Sequence, residues 1–515
     1  MTTELNVLLI TTDQFRGDCL SLLGHPLVRT PHLDRLGREG LVFTRHYSCS
    51  APCGPARTTL LTGLYPCNHR SVTNGTPLDR RHTNLALEVR RAGYAPVLFG
   101  YTDTSTDPRG LPLDDPRLLS YEGLMDGFEV ALGYQDQVPE GWINHLRGHG
   151  YEVPRVPCQA YLPAGYDPAA AREFPLQPAL YRAEHSDSAW ISDRIIDYLQ
   201  AHGGETWFLH AVYLRPHPPL VAPAPYHTLY DPVRMPCPPR GSDRGTDLAH
   251  HPYLAHWFEI DENTSHQAMG LDLATLRDSD RRRMQAIYYG LVSEVDAQIG
   301  RVLDHLRGTG ELDRTLVVFT SDHGELLGDH WLWGKGGFYD GSYHVPLIIR
   351  DPRHLDAPRI LTQHFSESVD LMPTLLERVG LEVPETCDGR SLWPLIEGPA
   401  PRQWRAQTFW EFDFRSVDSD KSETALDLRP DQCSLNVIRD RRYKYVHFTA
   451  LPPLLFDLEA DPLELHDVAA QPRYLGVLSE YAGKLLSQRM LHADRTLTNY
   501  RLTPRGLKHY HGPRS

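Results

Sequence analysis

Sulfur is scarce in this chain and long apolar runs are missing. The eight cysteines among 515 residues (Cys19, Cys49, Cys53, Cys67, Cys158, Cys237, Cys387 and Cys433) are too sparse and irregular for a disulfide framework or a C-x-x-C zinc site. The stretch Met1 to Ile10 lacks the basic start and small-residue cleavage site of a signal peptide, and its apolar run is only strand-sized, so a cytoplasmic protein without membrane association is expected. Basic residues are outnumbered, 52 to 66, for a formal charge of −14, which argues against a nucleic-acid groove. The short basic run Arg281-Arg282-Arg283 reads as a solvated helix face. No internal repeat is evident.

What is present is enough apolar side chain, 41% of residues, for a large buried sheet. Short apolar, β-branched runs end in polar residues: Val7 to Thr12 before Asp13, Pro96 to Phe99 before Gly100-Tyr101, Trp207 to Tyr213 before Arg215-Pro216-His217, and Leu316 to Thr320 before Asp322. Each predicts a buried strand. Helical patterns lie between them, over Leu85 to Ala92, Ser188 to Gln200, Met284 to Leu306 and Ser368 to Val379. This alternation predicts an α/β fold with a large, mostly parallel mixed sheet flanked by helices, in which the residues after the strands meet in one crevice. Residues 103–183 read as long loops over that crevice. After about Gly398 the pattern turns to antiparallel strands, Cys433 to Arg439, Arg442 to Phe448 and Leu454 to Asp457, then a helix near Tyr474 to Leu491. The division expected is a catalytic domain over residues 1–400 and a smaller α+β domain over 401–515, with the tail from Ala493 either loose or an arm lying on another subunit.

The string Cys53-Gly54-Pro55-Ala56-Arg57 is the most informative local feature. Pro55 suits a first helical turn and the following residues continue as helix, so Cys53 is expected where unpaired N–H groups face outward and an anion can sit. Asp13 and Asp322-His323, each following a strand, offer two carboxylates and an imidazole for a divalent metal, with position 53 as a further ligand. Singly, each also reads as a helix cap or loop residue.

These residues carry a family resemblance. The C-x-P-x-R run continuing as Thr58-Thr59-Leu60-Leu61-Thr62-Gly63, the pair Asp13-Gln14, Ser321-Asp322-His323-Gly324, Gly334-Lys335, Arg215-Pro216-His217-Pro218-Pro219, Leu455-Phe456-Asp457-Leu458 with Asp461-Pro462, and the late His492-Ala493-Asp494-Arg495-Thr496-Leu497-Thr498 resemble the sulfatase branch of the alkaline phosphatase superfamily, and within it the phosphonate monoester hydrolases. The resemblance runs nearly end to end. It implies that Cys53 is oxidised by a formylglycine-generating enzyme to formylglycine, whose hydrate has one oxygen for attack and a second whose deprotonation expels the captured group from a covalent intermediate. It implies a metal held by Asp13, Cys53, Asp322 and His323, with Gln14 as a further candidate. It implies Asp322 as acceptor of the attacking proton, Arg57 and Lys335 as fixed positive charge, His217 as proton donor or anion contact, and Asn74, Tyr101, His217 and Lys335 as substrate contacts. Among 27 histidines only the motif singles out His217.

Departures from the wider family sharpen the substrate class. Gln14 stands where a carboxylate is usual, His323 where asparagine is, and Tyr101 where lysine is. An amide and an imidazole soften the metal site, favouring manganese, zinc or iron over calcium, with manganese placed first. The lost lysine suits monoanions: phosphonate monoesters, phosphodiesters and sulfate monoesters. Asp103 stands where phosphonate hydrolases usually carry a hydroxyl, and a carboxylate aimed at an anion would repel it, so Asp103 is left outside the expected site. The expected function is hydrolysis of phosphonate monoesters and phosphodiesters with promiscuous sulfate ester hydrolysis. The rivals are an arylsulfatase using the same site and a non-catalytic binding protein with unconverted Cys53. A homotetramer is implied by the resemblance.

Overall fold

The computed structural model describes residues 5–134, 139–260, 269–355, 359–361, 364–398, 401–416 and 419–509. In chain order its first strands are β1 (Asn6–Asp13), β2 (Leu41–Phe43), β3 (His46–Tyr47), β4 (Pro96–Gly100), β5 (Glu129–Gly133), β6 (Phe208–Pro216), β7 (Thr315–Ser321), β8 (Leu347–Arg350), β9 (Arg359–Leu361) and β10 (Ser366–Glu367). Eight form one sheet in the order β5-β4-β6-β1-β7-β8-β2-β9, while β3 and β10 pair separately. All pairings in the large sheet are parallel except those of β8 with β7 and β2.

Alternation along β1 explains its place at the centre. Leu8 and Ile10 point into one core with the helices Asp187–Ala201 and Asp278–Gly308, whereas Val7 and Leu9 point into a second core with the helix Leu371–Arg378. A one-residue slip would exchange the faces and spoil both packings. Two flanking helices open on side chains that cap them. Asn84 Oδ1 accepts from Leu87 N at 3.0 Å, and Ser186 Oγ from Ala189 N at 3.1 Å, each satisfying an otherwise unpaired first-turn donor.

A second, four-stranded antiparallel sheet follows, with β11 (Thr408–Asp413), β12 (Ser434–Arg439), β13 (Tyr443–Phe448) and β14 (Leu454–Asp457) in that order. Its Trp410, Val437 and Phe448 share a core with Tyr47, Tyr253, Phe338 and Tyr343. Fully buried Lys444 pins it there, 2.6 Å from Asp340 and paired with Glu464. The chain then forms the helix Leu475–Leu491 and a hairpin of β15 (Tyr500–Thr503) and β16 (Gly506–His509). Among the described residues no helix is long and apolar enough to cross a membrane.

Three expectations need correction. Residues 103–183 are not all loop, since they contain β5 and the helix Glu140–Gly148. The strand β5 lies at the sheet edge and is mostly exposed, so it lacks the apolar run that marks its buried neighbours. The first strand of the second sheet, β11, was not anticipated because Glu411 and Asp413 interrupt its apolar pattern. Arg281 is buried rather than solvated, donating to Asp278 at 2.7 Å and to Pro236 O at 3.0 Å.

Candidate active site

The parallel neighbours β4, β6, β1 and β7 end on the same edge of the sheet, and their next residues converge there. Asp13 closes β1, Asp322 and His323 follow β7, Tyr101 follows β4 and His217 follows β6. The helix α2 (Cys53–Thr62) starts at Cys53 and is buried along its whole length. Cys53 Sγ lies 3.2 Å from His323 Nε2, 2.9 Å from Lys335 Nζ and 3.8 Å from Asp13 Oδ1. One donor atom from each of Asp13, Cys53, Asp322 and His323 falls within 4.8 Å of the others, all four residues being buried. His323 Nδ1 donates to Gly324 O at 2.9 Å, which fixes the tautomer and leaves Nε2 as the electron-pair donor.

Behind these groups lies Arg57. Its guanidinium donates to Asp13 Oδ2 at 2.9 Å and to Asp322 Oδ2 at 3.0 Å, over the Tyr101 ring at 4.2 Å. Tyr101 OH donates to Asp13 Oδ2 at 2.9 Å. Burial would raise the Asp13 carboxyl, but the charges of His217, Lys335 and Arg57 outweigh it and hold Asp13 well below the ordinary carboxylate range. For Asp322, burial and the neighbouring Asp13 prevail and push it up to about 6. Burial, helped by Lys335, lowers His323 to about 3, so its ring is neutral. Two adjoining buried carboxylates, a neutral imidazole nitrogen and the atom at position 53 form a donor set that a divalent cation fits, since such an ion relieves the repulsion between the acids.

Lys335 Nζ donates to Gln14 Oε1 at 3.0 Å, while Gln14 Nε2 donates to Glu325, so both ends of the Gln14 amide are engaged. Glu325 also accepts from Leu327 N at 2.8 Å and Gly334 N at 2.7 Å, tying down the loop that carries Lys335. Asn74 Oδ1 accepts from Gly54 N at 2.9 Å and so caps the first turn of α2. His217 Nδ1 donates to Pro218 O at 2.7 Å. Its loop is fastened by buried Arg215, which donates to His217 O at 3.0 Å and to Pro219 O at 3.1 Å, and lies 3.3 Å from Asp187.

Asp13, Gln14, Cys53, Asn74, Tyr101, His217 and Lys335 open into a cleft of about 790 Å³. Its outer wall is aromatic, with Trp257, Phe258, Trp333, Phe412 and Phe414. Phe412, on β11, packs on the backbone beside Lys335: a Cβ at Gly336 (φ +108°) would lie 2.6 Å from its ring, a place only glycine can occupy. All the residues named from the sequence therefore gather at this site. Arg57 is turned to the carboxylates, and Asp322 and His323 lie beneath the floor, fully buried. Three residues were not anticipated as parts of the assembly. Glu325 adjoins a named motif, but its role depends on the distant Gln14 and Gly334. Arg215 stood inside the His217 motif without a role. Asp103 lines the cleft with Cys53.

Comparison with known proteins agrees with this geometry. The family model described as Sulfatase matches residues 5–381, and a model for the C-terminal part of N-sulphoglucosamine sulphohydrolase matches residues 328–490. A multifunctional alkaline phosphatase superfamily protein, PehA, of Trinickia caryophylli is 45% identical over 514 residues, covering 98% of this chain and 99% of that protein. The crystal structure of a phosphonate monoester hydrolase of Agrobacterium radiobacter superposes with a TM-score of 0.93 at 44% identity, covering 99% of this chain and all of the other. The phosphonate monoester hydrolase from Silicibacter pomeroyi gives 0.92 at 41% identity, covering 98% and 99% of the two chains. With its sheet, its buried donor set around position 53 and these full-length matches, the chain belongs to the sulfatase family of the alkaline phosphatase superfamily.

Proposed function

We propose that this protein is a metal-dependent hydrolase of phosphonate monoesters and phosphodiesters that also turns over sulfate monoesters, with residue 53 as its nucleophile after conversion of the thiol to formylglycine. The observation that carries the reading is the buried set Asp13, Asp322 and His323 around Cys53, in a chain that matches phosphonate monoester hydrolases over its full length. Asp13, Asp322, His323 and residue 53 would hold a divalent ion, the imidazole favouring a transition metal over calcium and the two carboxylates suiting manganese among these. When bound, that ion lowers the pKa of a hydrated aldehyde and offsets charge on a substrate oxygen.

The chain's own groups do the rest. Lys335, 2.9 Å from Sγ, keeps a positive charge beside both nucleophile and anion. Asp322 accepts the proton of the attacking hydroxyl, and Arg57 orients both carboxylates through its paired bonds. Asn74 holds Gly54 N, so the start of α2 keeps residue 53 aimed into the cleft. His217, its Nδ1 proton committed to Pro218 O, uses Nε2 to exchange a proton with the leaving oxygen. The aromatic wall takes the ester's apolar group.

Initial rates on an aryl phenylphosphonate, a bis-aryl phosphodiester and an aryl sulfate test this assignment, together with the mass of the peptide that holds Cys53. The expected result is a lighter peptide than cysteine gives, and higher rates on the two phosphorus esters. A large preference for the sulfate would make the protein an arylsulfatase. Wholly unconverted Cys53 in active protein from the native host would end the formylglycine assignment.

A further inference from the structure

Asp103 is set beside the nucleophile by its backbone. It sits on the loop leaving β4 in a left-handed conformation, φ 49°. Its carbonyl is pressed onto the first turn of α2, where a Cβ on Gly54 would meet Asp103 O at 2.9 Å. Its Oδ2 is 3.5 Å from Arg57 Nε, farther than the 2.9 and 3.0 Å at which Arg57 binds Asp13 and Asp322. Arg57 thus holds two carboxylates closely and Asp103 at a longer ion-pair distance. Asp103 lines the cleft together with Cys53, Asn74 and Lys335.

Charge at the floor of the cleft follows from these neighbours. Asp13, Asp103 and Asp322 face Arg57 and Lys335. Asp103 therefore makes the floor one unit more negative than Asp13, Asp322, Arg57 and Lys335 alone would leave it. A neutral residue at 103 would remove that unit. The extra carboxylate matches the floor to a singly charged reacting group and sets it against a doubly charged one.

We propose that Asp103 is a specificity-determining residue that acts as a charge filter, admitting monoanionic esters and rejecting dianionic phosphate monoesters. The proposal rests on the hydrolase reading above, and its test separates the two. Asp103→Asn removes the charge at nearly constant size, and asparagine accepts the left-handed backbone as aspartate does. Asp103→Gly serves as a second variant suited to the same conformation. For the wild type and both variants, kcat/KM is measured on para-nitrophenyl phosphate and para-nitrophenyl phenylphosphonate, which share a leaving group, and binding of inorganic phosphate is titrated by calorimetry at matched metal content. Both variants are expected to raise the ratio of monoester to phosphonate kcat/KM by about tenfold or more, and to tighten phosphate binding by a similar factor. An unchanged ratio, or rates that rise or fall together on both substrates, would overturn the filter and leave Asp103 a structural role. Wild-type protein inert on the phosphonate would sink the hydrolase reading, while phosphate binding would still report on Asp103.

Discussion

At Cys53 the environment disfavours the thiolate. Burial and the carboxylates of Asp13, Asp322 and Asp103 push the thiol far above its ordinary range despite the opposing charge of Lys335. A protonated thiol is a poor nucleophile, which suits a side chain that reacts only once its sulfur has been replaced by oxygen. Cys53→Ala is therefore expected to lower kcat by about three orders of magnitude or more, with the fold intact and metal still bound through Asp13, Asp322 and His323. Assay, thermal melting and metal analysis of the purified variant check all three, and retained turnover would refute the role of residue 53. Cys53, Arg57, Asp322 and His323 were legible because each lies in a short string whose neighbours identify it. Glu325 was not, since its work depends on Gln14 and Gly334. Nor was the nearness of Asp103 to Arg57, which arises where the loop after β4 meets the helix Cys53–Thr62.

Among the elements, the long helix Asp278–Gly308 carries an acid that makes stability depend on pH. Glu294, buried in that helix, accepts from Ser186 Oγ at 2.6 Å. Burial, then the nearby Asp187, lifts it from an ordinary 4.5 to about 7. The folded state thus holds this proton more tightly than the unfolded chain. Its favourable contribution is complete below the unfolded pKa and is lost as pH rises from 4.5 towards 7, at most about 3 kcal/mol by linkage. Asp296, on the same helix, is likewise raised by burial to about 7, so only the difference between wild type and variant isolates Glu294. Denaturant titrations from pH 5 to about 8 are expected to show Glu294→Gln losing less stability than wild type; parallel curves would rule the effect out. The central elements could be read from the sequence, since β1, β6 and β7 are buried throughout. The edge strand β5 and the acid-bearing β11 could not, because exposure and pairing across the sheets, rather than local pattern, make them strands.

Across the whole molecule the late segments serve two purposes. The tail hairpin shows Leu502 85% and Leu507 62% exposed, an apolar surface that a lone chain leaves wet. We expect it to lie on a second copy in a homotetramer. A chain ending at Leu491 should therefore sediment as a smaller species, and an unchanged mass would argue against that contact. The second sheet contributes through Phe412, seated on Gly336 next to Lys335. The proposed reacting groups come from residues 13 to 335, whereas part of the aromatic lining of the cleft comes from β11. Part of the cleft lining is thus encoded well apart from the proposed reacting groups. Randomising the codon of Phe414, which takes no part in the contact at Gly336, is a route to new preferences.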